Sequence, residues 1–193
     1  ELRNARLTKR ILCLGGFYSG QENAGLAEHI TPAVFTIDAA ERLDRAAAER
    51  GETAAVHIKI DTGMGRVGVP FGHISEFADR LAALQNIEVE ALMTHFAAAD
   101  DLAENSFTAR QTAQFDEVAA VFRDRGFRPA FVDLANSPGA IAHPRSRADM
   151  VRLGGVLYGL SGDVIPAGIE KPELKPVLSL HTEIAQLKHV ALG

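Results

Sequence analysis

His57, Lys59 and Asp61 alternate with Val56, Ile58 and Ile60, and Thr62-Gly63-Met64-Gly65 and Arg66 follow at once. A strand sends successive side chains to opposite faces. Read as a strand, this stretch has one aliphatic face and one face carrying an imidazole, an ammonium and a carboxylate in a row. The two glycines then let the chain turn tightly ahead of Arg66. An edge strand with a wet face would also explain the row. Buried, the same row becomes a site, because burial and neighbouring charges shift the acid–base behaviour of each group. Lys59 would be the most affected. Burying an ammonium lowers its pKa by up to about 3–5 units, and a neutral amine can add carbon dioxide to form an anionic carbamate. The plain alternative is a Lys59–Asp61 ion pair on the shared face.

Three further groups close apolar runs. His95 ends Met93-Thr94-His95, Asn136 and Ser137 begin Asn136-Ser137-Pro138-Gly139, and Arg152 precedes Gly154-Gly155. A hydroxyl beside consecutive bare backbone amides can form a nest for a phosphate. Singly, each group also reads as an ordinary turn, a core histidine or a surface arginine.

The elements that must position these residues repeat. Ile11-Leu12-Cys13-Leu14, ended by Gly15-Gly16, reads as a buried parallel strand. Residues 32–37 read as the next. Asp38 is placed to cap a helix, with Glu41 three residues on; the helix carries Leu43, Ala46 and Ala47 inward and stops at Gly51. The polar-faced strand spans about 54–61. A helix over about 75–85 is capped by Ser75. Ile87, Val89, Ala91, Met93 and His95 then alternate with Glu88, Glu90, Leu92 and Thr94. A long helix fits 106–125, where Phe107, Gln111, Phe115, Val118 and Phe122 recur at three and four. Residues 130–135 and 150–153 read as the last two strands.

Strands alternating with helices imply a parallel sheet. Six such units suggest an incomplete (β/α)₈ TIM-type barrel, two units short, since the complete fold is usually about 250 residues. In that fold function gathers at the carboxyl ends of the strands, where all the candidate groups fall. If the last two strands are the seventh and eighth, Ser137 and Gly154-Gly155 occupy the usual phosphate position. No Gly-x-Gly-x-x-Gly opens a helix, which disfavours a dinucleotide fold. Residues 1–165 are therefore read as a partial barrel that binds the cofactor. Residues 166–193 are read as a linker and the first strands of a C-terminal β domain, from Val177, Leu178, Leu180, Thr182, Ile184, Gln186 and Lys188.

The motif HIKIDTGMGRVGV resembles the signature of the alanine racemase family, and Thr94-His95-Phe96-Ala97, Asn136-Ser137 and Val151-Arg152-Leu153-Gly154 match further motifs of it. The resemblance implies pyridoxal phosphate as cofactor and interconversion of L- and D-alanine through an aldimine of it, supplying D-alanine for peptidoglycan. It implies that Ser137, Gly154 and Gly155 hold the cofactor phosphate, with Gly155 replacing a larger apolar residue. Arg152 would face the pyridine nitrogen. An arginine gives up no proton, so the ring stays neutral and is a weaker electron sink. His95 would pack on the ring, with Asn136 near it. Arg66 would pair with the substrate carboxylate, and Lys59 would carry the carbamate, as N6-carboxylysine, that orients Arg66.

The family's aldimine lysine, in a Lys-Ala-Asn-Ala-Tyr-like motif, has no match. Lys9, Lys171, Lys175 and Lys188 lie in other contexts. The tyrosine base contributed by a partner subunit is not matched by Tyr18 or Tyr158, and its motif would begin after Gly193. The expectation is an internal piece of a homodimeric isomerase, with no catalytic residue of its own. The chain opens on Glu1, which leaves room for residues upstream. A broader-specificity amino-acid racemase shares most of these motifs. A non-catalytic pyridoxal-phosphate-binding homeostasis protein has a similar barrel but no extended tail.

Composition agrees with this class. The 193 residues are 47% hydrophobic with a net charge of −5 and no basic run, which argues against disorder and nucleic acid. The single cysteine, Cys13, excludes a disulfide framework and points to the cytoplasm. No metal set, secretory segment or membrane-length apolar run is visible.

Overall fold

The computed structural model describes residues 1–162 and 164–190. Strands β1 (Ile11–Cys13), β2 (Ile30–Val34), β3 (Ala54–Asp61), β4 (Val69–Pro70), β5 (Ile87–Met93), β6 (Phe131–Ala135) and β7 (Met150–Val151) form one sheet. Its order is β1-β2-β3-β5-β6-β7, every pairing is parallel, and the short β4 adds to the end of β3. Helices α1 (Glu22–Ala27), α2 (Ile37–Arg50), α3 (Ile74–Leu81), α4 (Asn105–Asp124) and α5 (Ser137–Ala142) lie in the connections. Parallel strands in sequence order with intervening helices are the (β/α)₈ plan short of closure. Among the described residues β1 pairs only with β2, and β7 only with β6.

One apolar core fills the space between sheet and helices. Val56, Ile58 and Ile60 of β3 are each 0% exposed and pack with Leu43 and Ala47 of α2, Phe77 and Leu81 of α3, and Phe115 and Phe122 of α4. Burying one such aliphatic side chain is worth roughly 1.5–3 kcal/mol. The other face of the sheet sets the buried His57, Lys59 and Asp133 among Ala91, Met93 and Ala135, and it leads to the site.

Several local readings change. The second strand begins at Ile30 and ends at Val34, so Thr36, not Asp38, caps α2, accepting from the Ala39 N–H at 3.3 Å. Gly51 closes that helix in the left-handed conformation, φ 65°. A single 3₁₀ turn over Phe71–His73 leads into α3, which puts Ser75 inside the helix rather than at its cap. Helix α5 starts where a plain loop was expected.

In β5 an extra residue separates the pairs Val56↔Val89 and His57↔Ala91. Val89 and Leu92 therefore both face the helices, and strict alternation along the strand fails. The bulge turns Glu90 to His57, whose Nε2 lies 3.0 Å from Glu90 Oε2.

Residues 166–190 contain no strand, and Val177, Leu178, Leu180 and Ile184 are exposed. A strand needs a hydrogen-bonding neighbour, and none of the described elements pairs with this segment. Among the described residues no helix is long and apolar enough to cross a membrane.

Candidate functional site

The carboxyl ends of the strands enclose a cavity of about 560 Å³. It is lined by Lys59, Arg66, His95, Asn136, Ser137, Arg152, Gly154 and Gly155, together with Leu14, Met93 and Val164. All eight residues singled out from the sequence therefore meet in one place. β3 contributes Lys59, the loop after it Arg66, the end of β5 His95, the β6–α5 junction Asn136 and Ser137, and the segment from β7 onward the rest.

The loop after β3 is held from its start. Asp61 Oδ1 accepts from the N–H groups of Gly63 and Gly65 at 2.9 and 3.1 Å. Asp61 thus spends its carboxylate on the glycine turn, and no Lys59–Asp61 ion pair occurs among the described residues. Gly68 closes the loop at φ 146°, where a Cβ would stand 2.5 Å from the Asp61 nitrogen. Only glycine fits there.

Lys59 is buried on the inner face, 7% exposed. Burial, with Arg152 and then Arg66 nearby, pulls its ammonium from 10.5 down to about 8; Asp61 and Asp133 oppose the shift. His95 goes the same way. Burial, then Arg152, Lys59 and Arg66, lower it from 6.5 to about 4, so the imidazole is neutral near pH 7.

Arg152 Nη2 donates to the Thr94 carbonyl at 2.7 Å and lies 3.4 Å from His95 Nδ1, which is placed to accept. Arg152 Nη1 is ion-paired with Asp133 Oδ1. Three cationic side chains share the cavity, and one of them has a buried counter-ion. An anion is the matching guest.

Ser137 Oγ accepts from the Gly154 N–H at 3.0 Å, joining the two halves of the expected phosphate nest. Asn136 lines the cavity, but its side chain is occupied. Oδ1 caps α5 by accepting from the Gly139 N–H at 3.0 Å, and Nδ2 donates to the Phe96 carbonyl at 3.3 Å. At Gly155 a Cβ would fall 2.6 Å from Val164 Cγ2, so the side chain missing from that position is replaced in space by Val164.

Two supporting residues were not read from the sequence as part of a site. Asp133 is one. Gln111 of α4 is the other, 0% exposed. Its Nε2 donates to Thr62 Oγ1 (3.2 Å) and the His95 carbonyl (3.1 Å), and its Oε1 accepts from the Ala97 N–H (3.0 Å). The Thr62 hydroxyl donates to Thr94 (2.8 Å), which donates to the Ile60 carbonyl (3.0 Å). These bonds lock the ends of β3 and β5 together beneath the cavity. Gln111 falls on the apolar stripe of its helix; its amide in that stripe was the available signal.

A parallel sheet on the barrel plan thus carries a cavity at its strand ends lined by three cationic side chains. The family model for the alanine racemase N-terminal domain matches residues 1–162, and the chain belongs to that family. It is 38% identical to an alanine racemase from Geobacter sulfurreducens over 100% of this chain and 50% of that protein. An alanine racemase of known structure from Clostridium difficile superimposes with a TM-score of 0.82 and 31% identity, covering 91% of this chain and 48% of that one. One from Bartonella henselae, described with covalently bound pyridoxal phosphate, gives 0.75 and 25%, covering 91% and 46%. The chain spans about half the length of the relatives it matches.

Proposed function

We propose that this chain is the cofactor-holding part of a pyridoxal-phosphate-dependent alanine racemase. The observation that carries the reading is the convergence of Lys59, Arg66 and Arg152 with the Ser137–Gly154 nest in one cavity of this family's fold. The fit to the cofactor is chemical. A hydroxyl and glycine amides suit a phosphate, and a cationic cavity suits a molecule that is an anion overall. When bound, pyridoxal phosphate supplies the electron sink that acidifies the Cα proton of an amino acid.

The chain's own residues then have separate tasks. Ser137, Gly154 and Gly155 hold the phosphate. Arg152, fixed by Thr94 and Asp133, faces the ring nitrogen and keeps its proton. His95, neutral, lies against the ring without adding charge. Asn136 caps the helix that opens with Ser137. Arg66, exposed at the rim, takes the substrate carboxylate. Lys59, with its depressed pKa, is the amine suited to carbamylation, and the resulting anion would orient Arg66.

None of these residues is assigned to moving the Cα proton. On this reading the 193-residue chain alone does not racemise alanine. The whole protein would do so as a cytoplasmic homodimer, supplying D-alanine for peptidoglycan. Residues 166–193 would open its C-terminal β domain, where the exposed Val177, Leu178, Leu180 and Ile184 find cover.

The test is twofold. Titration of this chain with pyridoxal phosphate should show weak, saturable binding that leaves no lysine adduct after borohydride. Binding should weaken on Ser137→Ala. A coupled D-alanine assay with cofactor should show no turnover above cofactor alone. A stable lysine adduct, or turnover far above the blank, would refute this division of labour. The absence of any saturable binding would refute the site.

A further inference from the structure

Asp133 has no exposed surface; Glu22, the other buried acid among the described residues, is 7% exposed. It lies on β6 between two parallel neighbours, paired with Met93 of β5 and Met150 of β7. The flanking Val132 and Leu134 pack into the helix-side core, so Asp133 points to the inner face. Its Oδ1 is ion-paired with Arg152 Nη1 by proximity, and neither carboxylate oxygen has a geometrically formed hydrogen bond among the described residues.

Such a carboxylate is expensive. Taking an ion out of water costs several kcal/mol, and a well-packed apolar pair would often serve stability equally well. Burial raises the Asp133 pKa, and Arg152 pulls it back. A reason beyond packing is therefore needed, and the geometry supplies one. Arg152 is gripped at Nη1 by Asp133 and at Nη2 by the Thr94 carbonyl. A planar guanidinium held at two nitrogens cannot rotate toward a phosphate elsewhere in the same cavity, although a free arginine binds phosphate well.

We infer that Asp133 is the positioning residue of this site: the buried carboxylate that holds Arg152 away from the Ser137–Gly154 phosphate nest and fixed toward the cofactor ring. The inference rests on the proposed cofactor site. With Asp133 in place, the phosphate meets the hydroxyl and glycine amides, and Arg152 remains a fixed, charge-compensated donor for the ring. Without it, Arg152 gains an unpaired charge and freedom to turn, and the cavity becomes a better binder of plain anions and a poorer reader of the ring.

The experiment measures two dissociation constants on the full 193-residue chain, for pyridoxal phosphate and for inorganic phosphate. In the unsubstituted chain pyridoxal phosphate should bind the more tightly. Asp133→Asn keeps the shape and removes the charge. The preference should fall about tenfold or more, the scale of losing a buried charge partner, with phosphate affinity unchanged or improved. Arg152→Gln should lower the preference similarly, and the double variant should fall no further, since Asp133 acts only through Arg152. If Asp133→Asn alone does not fold, removing both partners relieves the unpaired charge, and the double variant compared with Arg152→Gln decides. Equal preferences in those two support the inference. An unchanged preference in folded Asp133→Asn, or a further fall in the double variant, overturns it. If the unsubstituted chain binds neither probe, the cofactor site fails and the inference with it.

Discussion

Replacing Lys59 with methionine should make this protein more stable. Lys59 is buried and its pKa falls from 10.5 to about 8 through burial and the charges of Arg152 and Arg66. In the unfolded chain the amine titrates at its ordinary value. Between pH 8 and 10.5 the unfolded state therefore binds more protons than the folded one, and stability rises with pH across that window. Below about pH 8 the full cost is present. At 1.36 kcal/mol per pKa unit it comes to about 3 kcal/mol. Methionine is similar in length, carries no charge and suits an irregular pocket. The cavity is open to water on one side, so the realised gain at pH 7 should be about 1–3 kcal/mol. For a chain of this size that raises the melting temperature by about 2–12 °C. Urea titrations of both proteins at pH 7, 8, 9 and 10.5 in carbon-dioxide-depleted buffer measure the difference, which should shrink toward the alkaline end. Adding bicarbonate should stabilise the unsubstituted chain alone, because a carbamate would turn the repelled cation into an anion beside two arginines. A Lys59→Met chain no more stable than its parent in depleted buffer, or a gap that ignores pH, would refute the reasoning. A residue that stabilises when removed is one kept for function.

His95 gives the acid counterpart. Its folded pKa of about 4 lies below the ordinary 6.5, so its contribution is present above pH 6.5 and lost as pH falls through 4. His95→Gln should unfold less steeply in acid, as followed by circular dichroism between pH 7 and 3.5. Gly68→Ala should cost roughly 2–4 kcal/mol, because the new Cβ would lie 2.5 Å from the Asp61 nitrogen in a conformation that L residues avoid. Chemical denaturation reads that loss, and a cost under half a kcal/mol would mean that the loop relaxes freely. Gln111→Leu strands the Ala97 N–H and should cost about 1–3 kcal/mol. Amide exchange at Ala97 and Thr62 should speed up with it, and unchanged exchange there would count against the proposed lock.

The strand that carries Lys59, read as about 54–61, spans Ala54–Asp61, because clean alternation over the six positions 56–61 leaves a single register. The cavity was legible for a related reason. In a parallel barrel the chain places strand ends together, so polar residues that close apolar runs come to line one cavity. What stayed hidden depends on contacts between distant parts of the chain. Asp133 sits in Phe131-Val132-Asp133-Leu134-Ala135, where one acid looks like an exposed interruption until β7 brings Arg152 beside it. Gln111 looks like a tolerated flaw in an apolar stripe until the ends of β3 and β5 meet above it. The bulge at Glu90 has no local marker, since neither glycine nor proline is present, and it follows from His57 across the strand pair. Each case pairs a buried polar group with a partner remote in sequence. Because a buried polar group must be satisfied or lose several kcal/mol, the partner is obligatory. An isolated polar residue in an otherwise apolar strand of such a barrel therefore signals a missing partner, and the strand ends are the first place to look for it.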